Sequence, residues 1–448
     1  MENLYSLGAA TAAKAIRDGE ITSVQLVEAC LARIEEFEPT VQAWTHLDAE
    51  NALNHAKIAD KRHYDGEAEG PLNGVPVGIK DIFDTEDFPT EYGSPIHQGR
   101  RTFNDAAAVA QLRQAGAVVL GKTVTTEFAV YSPGKTTNPH DATRTPGGSS
   151  SGSAAAVASF MVPLALGSQT NGSTIRPASF CGTVGYKPSF GLISRNGVLR
   201  HSPPLDQVGV FARSVEDAAI MAECMMSFDD RDAYMRPRAR PNLSEIAMSE
   251  PPMPPKVGFL KTPAWNQADK ETQEAFAELA DVLGDRCAEV EIAEVYDEVE
   301  ELHRVIMEAD LAKNFAYDFA RAPEQFSAKL TEMIERGQKV TAVEYNIAIE
   351  RQQELERGLD QLMSEYDAIL TPSTLGEAPQ GLEATGSPAF CTMWSYTGMP
   401  AITLPLMQGE AGMPLGVQLV GKKGDDARLL RTASWLDVFI ETSEAEAA

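Results

Sequence analysis

The stretch from Gly147 to Ser173 constrains this chain more than any other. It opens on Gly147-Gly148-Ser149-Ser150-Ser151-Gly152-Ser153, continues into an Ala- and Val-rich segment, and ends in Gln169-Thr170-Asn171-Gly172-Ser173. A Gly/Ser run by itself reads as a flexible linker. Linkers separate domains, whereas this run leads directly into Ala154 to Met161, which is polar on no face and reads as a buried helix. Two hydroxyl-rich turns therefore flank a core helix. Upstream, Val75-Pro76-Val77-Gly78-Ile79 reads as a short strand that delivers Lys80. Serines within reach of a buried lysine point to nucleophilic catalysis without histidine.

The rest of the chain sets the bounds. Its 448 residues, 43% hydrophobic, are ample for a large core in one big domain or two. No run of about 18 apolar residues exists, so no membrane span is expected. The N-terminus lacks the basic and apolar regions of a signal peptide. Five scattered cysteines with no CxxC pair imply neither a zinc site nor a disulfide framework, and a cytoplasmic location fits. A net charge of −27 argues against nucleic acid or anionic membrane as a partner and otherwise reads as a solubility feature.

Helices are expected over residues 20–37, where Thr22 and Gln25 have capping-box spacing, and over 47–62, 105–115, 269–284 and most of 296–360. Strands are expected at 75–79, 117–120, 163–167, 256–260, 366–370, 401–405 and 416–420. The proline-rich stretch 236–256 reads as a linker or long surface loop. Mixed strands and helices throughout indicate an α/β fold.

Three motifs are decoys. Gly116-Ala117-Val118-Val119-Leu120-Gly121-Lys122-Thr123 matches a phosphate-binding loop, but its inner residues are themselves a strand, so their N–H groups cannot wrap phosphate. Gly148-Ser149-Ser150-Ser151-Gly152 matches the nucleophile elbow, which needs an acid and then a histidine downstream. Only His201 and His303 follow it, neither in a Gly-rich or small-residue loop. Ser132-Pro133-Gly134-Lys135 lacks the partner motifs of the penicillin-recognising enzymes and reads as a loop.

The turn after 163–167 carries the chemistry. Asn171 and Gly172 tolerate left-handed or tight backbone, and such a turn can aim several N–H groups at one point, as an oxyanion hole requires. Ser173 ends it and needs a base. The seven histidines show no pattern around these motifs. Lys80 can serve if burial keeps its amine neutral, although Gly-Ile-Lys-Asp alone equally describes a surface lysine at a strand end.

Longer motifs separate these readings. Gly74-Val75-Pro76-Val77-Gly78-Ile79-Lys80-Asp81, then Arg144 to Ala158, then Gly172-Ser173 with Ile175-Arg176-Pro177-Ala178-Ser179-Phe180-Cys181-Gly182, and finally Leu205-Asp206-Gln207-Val208-Gly209 follow in order. Together they resemble the amidase signature family of serine hydrolases. The resemblance runs from the N-terminal helices to Gly421 and is weak only over about 236–345.

It implies a central mixed β-sheet surrounded by helices, as a single domain over 1–448. Within it fall N-terminal helices at 1–65, a catalytic core at 70–225, a variable helical, substrate-pocket region at 236–345 and the C-terminal part of the core at 360–448. It implies Ser173 as nucleophile, Ser149 (after a cis peptide) as bridging serine and Lys80 as base. The N–H groups of Thr170, Asn171, Gly172 and Ser173 become oxyanion donors, with Ser150 supporting the serine–lysine network. No metal or cofactor is implied.

Gln169 stands where the family commonly has Asp, and Asn171 where it has Gly. The Q-T-x-G-S-x-I-R-P pattern, with residues 381–390, resembles a branch of aryl-acylamidase- and urethanase-like enzymes acting on anilides, aliphatic amides or carbamates. Esterase side activity follows from the shared acyl-enzyme. The implied partner is a small-molecule amide or carbamate substrate, bound by a monomer or homodimer. Phe128, Tyr131, Trp394 and the 300–345 helices are candidates to line the pocket. Two alternatives stand: the glutaminase-type component of a tRNA-dependent amidotransferase, and a non-catalytic family member.

Overall fold

A strand covered on both faces has no polar face, so it reads as a short apolar run. Several such runs build the centre of this protein. The computed structural model describes residues 3–67 and 70–447, the side chains of 444–447 excepted. Among the described residues eleven strands form one sheet. They are β1 (Trp44–Leu47), β2 (Pro76–Lys80), β3 (Val118–Thr123), β4 (Leu164–Gln169), β5 (Val184–Lys187), β6 (Gln207–Ala212), β7 (Val257–Leu260), β8 (Cys287–Val290), β9 (Ala368–Pro372), β10 (Ala401–Gln408) and β11 (Pro414–Val420).

The order is β1-β3-β2-β4-β6-β5-β10-β11-β9-β7-β8. β2 runs parallel to both β3 and β4, and β7 to both β8 and β9, while the other pairings are antiparallel. The sheet is mixed and flanked by helices, the α/β architecture expected. Every residue of β2, β3 and β9 is buried. The pairing of Ile79 with Leu166 sets the end of β2 beside the end of β4. Lys80 and the 169–173 turn are thereby neighbours in space.

Boundaries moved where side chains decided them. The first long helix spans Ser23–Val41, and both arms of its Thr22–Gln25 capping box are formed. The strand expected at 117–120 extends to Thr123, because Gly121 lets β1 approach: a Cβ there would lie 2.1 Å from the His46 carbonyl oxygen. The 296–360 region breaks into helices Val299–Asn314, Ala316–Arg321, Ala328–Gly337 and Ala342–Glu365. Ser327 and Thr341 cap the last two. The proline-rich stretch contains one five-residue helix, Leu243–Ala247. Of the decoys, 118–123 is strand and 132–135 lies outside any helix or strand. No helix among the described residues is long and apolar enough to cross a membrane.

Candidate active site

Three lysines have no exposed surface: Lys80, Lys122 and Lys187. Their partners separate them. Lys122 Nζ is paired with the Asp81 carboxylate at 2.9 Å. Lys187 Nζ donates to Gln207 Oε1 at 2.9 Å and to the Met399 carbonyl. Among the described residues Lys80 Nζ meets only hydroxyls, Ser149 Oγ at 2.7 Å and Ser168 Oγ at 2.8 Å. Burial without a carboxylate partner holds the Lys80 amine well below the usual lysine range, opposed only by the more distant charge of Asp206. A neutral amine against a serine hydroxyl is an acceptor for that hydroxyl's proton.

The Ser149 side is fixed from several directions. The Gly148–Ser149 peptide is cis. Thr126 N–H donates to the Ser149 carbonyl at 3.1 Å. Arg176 donates to the Gly148 carbonyl at 2.8 Å and to Thr385 Oγ1 at 3.3 Å. Ser150 reaches the lysine indirectly: its Oγ donates to the Ser168 carbonyl at 3.2 Å and accepts from Ser168 N–H at 3.3 Å. It clamps Ser168, which in turn holds Lys80. Sequence reasoning missed Ser168. The available signal was its place at the end of β4, next to the end of the Lys80 strand.

The turn is built differently from the expectation. Neither Asn171 nor Gly172 adopts a positive φ. Gly172 is required for space instead, since a Cβ there would meet Pro388 Cβ at 2.9 Å and Arg176 NH1 at 3.2 Å. An asparagine at 171 thus carries no backbone strain. Its Oδ1 accepts from Thr392 Oγ1 at 2.8 Å, its Nδ2 donates to Tyr131 OH at 3.3 Å, and its carbonyl accepts from Ser395. Gln169 Oε1 accepts the N–H groups of Thr174 and Ile175 at 2.8 and 3.0 Å, capping the helix Ile175–Cys181 as an aspartate would. The backbone N–H groups of residues 170–173 have no hydrogen-bond partner among the described residues. Ser173, half-buried, closes the turn. The turn and the Gly148 carbonyl share Arg176, which packs beneath Gly172.

Two histidines converge on Thr170, a pattern not visible in the sequence. Thr170 Oγ1 donates to Asp206 Oδ1 at 2.7 Å and contacts His201 Nδ1 at 2.9 Å. His303 Nε2 lies 3.0 Å from the Thr170 carbonyl. Burial keeps both rings neutral, with pKa values lowered to about 3 and about 4. Among the described residues neither ring bonds to a serine; His201 holds the Thr170 hydroxyl and His303 its carbonyl, so both position the turn rather than act as the elbow's base. Asp206, its pKa pushed up to about 6 by burial, also accepts from the N–H groups of His201 and Ser202.

The pocket candidates divide. Phe128 and Trp394 have no exposed surface. Phe128 packs among Phe315, Phe326 and His97 with ring centroids 4.8 to 5.6 Å away. These two are core residues here rather than pocket walls. Tyr131 is half-buried and joined to Asn171. Of the 300–345 helices, Val299–Asn314 supplies His303 to the turn.

Asn171→Gly removes the two side-chain bonds to Thr392 and Tyr131. We expect a roughly ten-fold loss in kcat with the fold intact, within the ceiling of about 30-fold that two hydrogen bonds of about 1 kcal/mol each would set. Steady-state kinetics with circular dichroism checks this. An unchanged or raised kcat would show that the bonds do not position the turn.

The family model for amidases matches residues 25–430. The chain is 34% identical to the A component of the glutamyl-tRNA(Gln) amidotransferase of Chloroflexus aggregans, covering 96% of each. Among solved structures it is similar to peptide amidase from Stenotrophomonas maltophilia, with a TM-score of 0.85, 28% identity, and 97% of each chain covered. It is also similar to a chain from a vestigial protein complex studied for the origins of an s-triazine catabolic enzyme. There the TM-score is 0.90 at 28% identity, with 96% of this chain and 98% of the other covered.

Proposed function

Because the chain belongs to the amidase family, we propose that it cleaves amide C–N bonds through an acyl-enzyme on Ser173. The observation that carries this reading is the buried Lys80 amine, 2.7 Å from Ser149 Oγ and facing no carboxylate. Ser173 Oγ attacks the carbonyl carbon. Ser149 takes the Ser173 proton and passes its own to Lys80. The oxyanion rests against the free N–H groups of 170–173. Ser149, reprotonated by Lys80, then gives a proton to the departing nitrogen as the C–N bond breaks. Water enters by the same proton path and releases the acid.

The substrate is a separate question. Relatives that are components of glutamyl-tRNA(Gln) amidotransferases support a glutamine side-chain amide more directly than the anilides or carbamates of the sequence-level branch. The peptide amidase similarity supports a self-sufficient amidase. In the glutamine case the product ammonia would pass to a partner protein.

The experiment is to purify the chain alone and assay glutamine, acetanilide and a phenyl carbamate in parallel with Ser173→Ala. Glutaminase activity, lost in Ser173→Ala, favours the amidotransferase reading. Activity confined to anilides or carbamates favours the stand-alone amidase. Turnover that persists in Ser173→Ala would overturn the acyl-enzyme reading itself.

A further inference from the structure

We infer that the Ser168 hydroxyl is the proton port of the site: it joins the buried Lys80 amine to a cavity that water can enter and lets that amine exchange protons with solvent. The inference rests on the acyl-enzyme reading above and goes beyond it, because that mechanism passes protons only among Ser173, Ser149, Lys80 and the substrate.

Lys80 has no exposed surface and Ser149 is 2% exposed. An amine so enclosed meets solvent only through a neighbour. Among the described residues Lys80 bonds to Ser149 and Ser168, and of these two only Ser168 lines a cavity of about 220 Å³. The wall also includes Arg200 and Arg231, both exposed, so the cavity reaches the protein surface. It has room for several waters.

The bonds of Ser168 agree with this placement. The residue is half-buried. Ser150 Oγ covers its N–H at 3.3 Å and its carbonyl at 3.2 Å, so the surface it exposes belongs to its side chain. Ser168 Oγ accepts from Lys80 Nζ, while its own O–H has no acceptor among the described residues. A serine hydroxyl has one proton to place, and cavity water can take it. Asp206 lies in the same wall, and its carboxylate favours a proton moving outward.

The relay balances. The Lys80 ammonium gives a proton to Ser168 Oγ, so an N–H bond breaks and an O–H bond forms. The hydroxyl's former proton passes to a cavity water. Lys80 is left as the free amine and Ser168 is unchanged. Amide cleavage does not need this step in every turnover, because the departing nitrogen carries the proton away. An ester whose leaving group departs as a weakly basic anion does need it. The Ser173 proton then stays on Lys80, and water cannot be activated against the acyl-enzyme until the amine is free.

The test is a single turnover of 2,4-dinitrophenyl acetate with enzyme in excess. Release of dinitrophenolate reports acylation, and quenched intact mass reports decay of the acetyl adduct. In Ser168→Ala acylation should slow about five-fold, the worth of one hydrogen bond. Decay should slow about 10²-fold, the low end of what a positioned proton-transfer group supplies. Leu199→Trp fills the cavity and leaves the Ser168 bond to Lys80 in place, so it should slow decay alone.

Equal slowing of both steps in Ser168→Ala is what a merely structural serine would give, and it would overturn the port. So would an adduct that decays in either variant as fast as in wild type, which would route the proton through Ser149 instead. Both results leave the Ser173 acyl-enzyme standing. Wild-type cleavage of the ester no faster than that of Ser173→Ala would overturn both readings.

Discussion

Lys80→Met lowers kcat by on the order of 10⁴-fold or more, the scale seen when a member of a serine-nucleophile triad is removed. KM is expected to move little, because Lys80 is fully buried and its bonds go to Ser149 and Ser168. Lys80→Arg does not rescue, since a guanidinium is never neutral and cannot accept the Ser149 proton. The pH profile carries the same claim. In the proposed mechanism Lys80 works as the free amine, so kcat/KM of the wild-type protein is expected to climb with pH as the ammonium loses its proton. Activity is lost as pH falls through that limb. Burial places the midpoint well below the usual lysine range. Lys80→Met keeps only residual activity, and its profile lacks the limb. Rate measurements across pH, with circular dichroism to show that the fold persists, decide this. A variant with the wild-type limb would mean that another group titrates.

Asp81→Ala destabilises the protein by about 3–5 kcal/mol, the cost of stranding one charge of a buried pair. Lys122 has no exposed surface and Asp81 is 2% exposed. Burial is the largest influence on both, raising the Asp81 carboxyl and lowering the Lys122 amine, and each opposes it in the other. Lys122 also donates to the Pro89 carbonyl at 2.9 Å and Thr90 Oγ1 at 2.7 Å, so its geometry is fixed and it cannot turn to solvent. Urea unfolding should show a lower midpoint. The double variant Asp81→Leu with Lys122→Met should recover most of the loss, because apolar isosteres of a buried pair are often neutral. A single variant within about 1 kcal/mol of wild type would place water beside Lys122 instead.

Periodicity and turn chemistry made much of this architecture legible. The Thr22–Gln25 box, the apolar run of β2 and the Ala/Val helix between the two hydroxyl turns are local signals, and each formed as an element near its expected place. The motifs also singled out Lys80 and Ser149, which the structure sets 2.7 Å apart. What stayed hidden depends on partners distant in sequence. Nothing local to Lys122 or Lys187 distinguishes them from Lys80; the difference is a carboxylate, a carbonyl or a hydroxyl brought in from elsewhere in the chain. His201 and His303 were dismissed because no small-residue loop surrounds them, yet they meet at Thr170 across 31 and 133 residues of chain. Gly172 looked like a conformational glycine, while the neighbour that demands it, Pro388, comes from the far end of the sequence. The aromatic side chains of Phe128 and Trp394 carry no sequence mark that separates a pocket wall from a packed core.

The most direct test of the Ser173–Ser149–Lys80 assignment is labelling with a serine-directed fluorophosphonate, followed by intact mass and peptide mapping. One adduct is expected, on Ser173, formed by the wild-type protein and lost in Lys80→Ala. No adduct on the folded wild-type protein, or an adduct on Ser150 that survives Lys80→Ala, would contradict it.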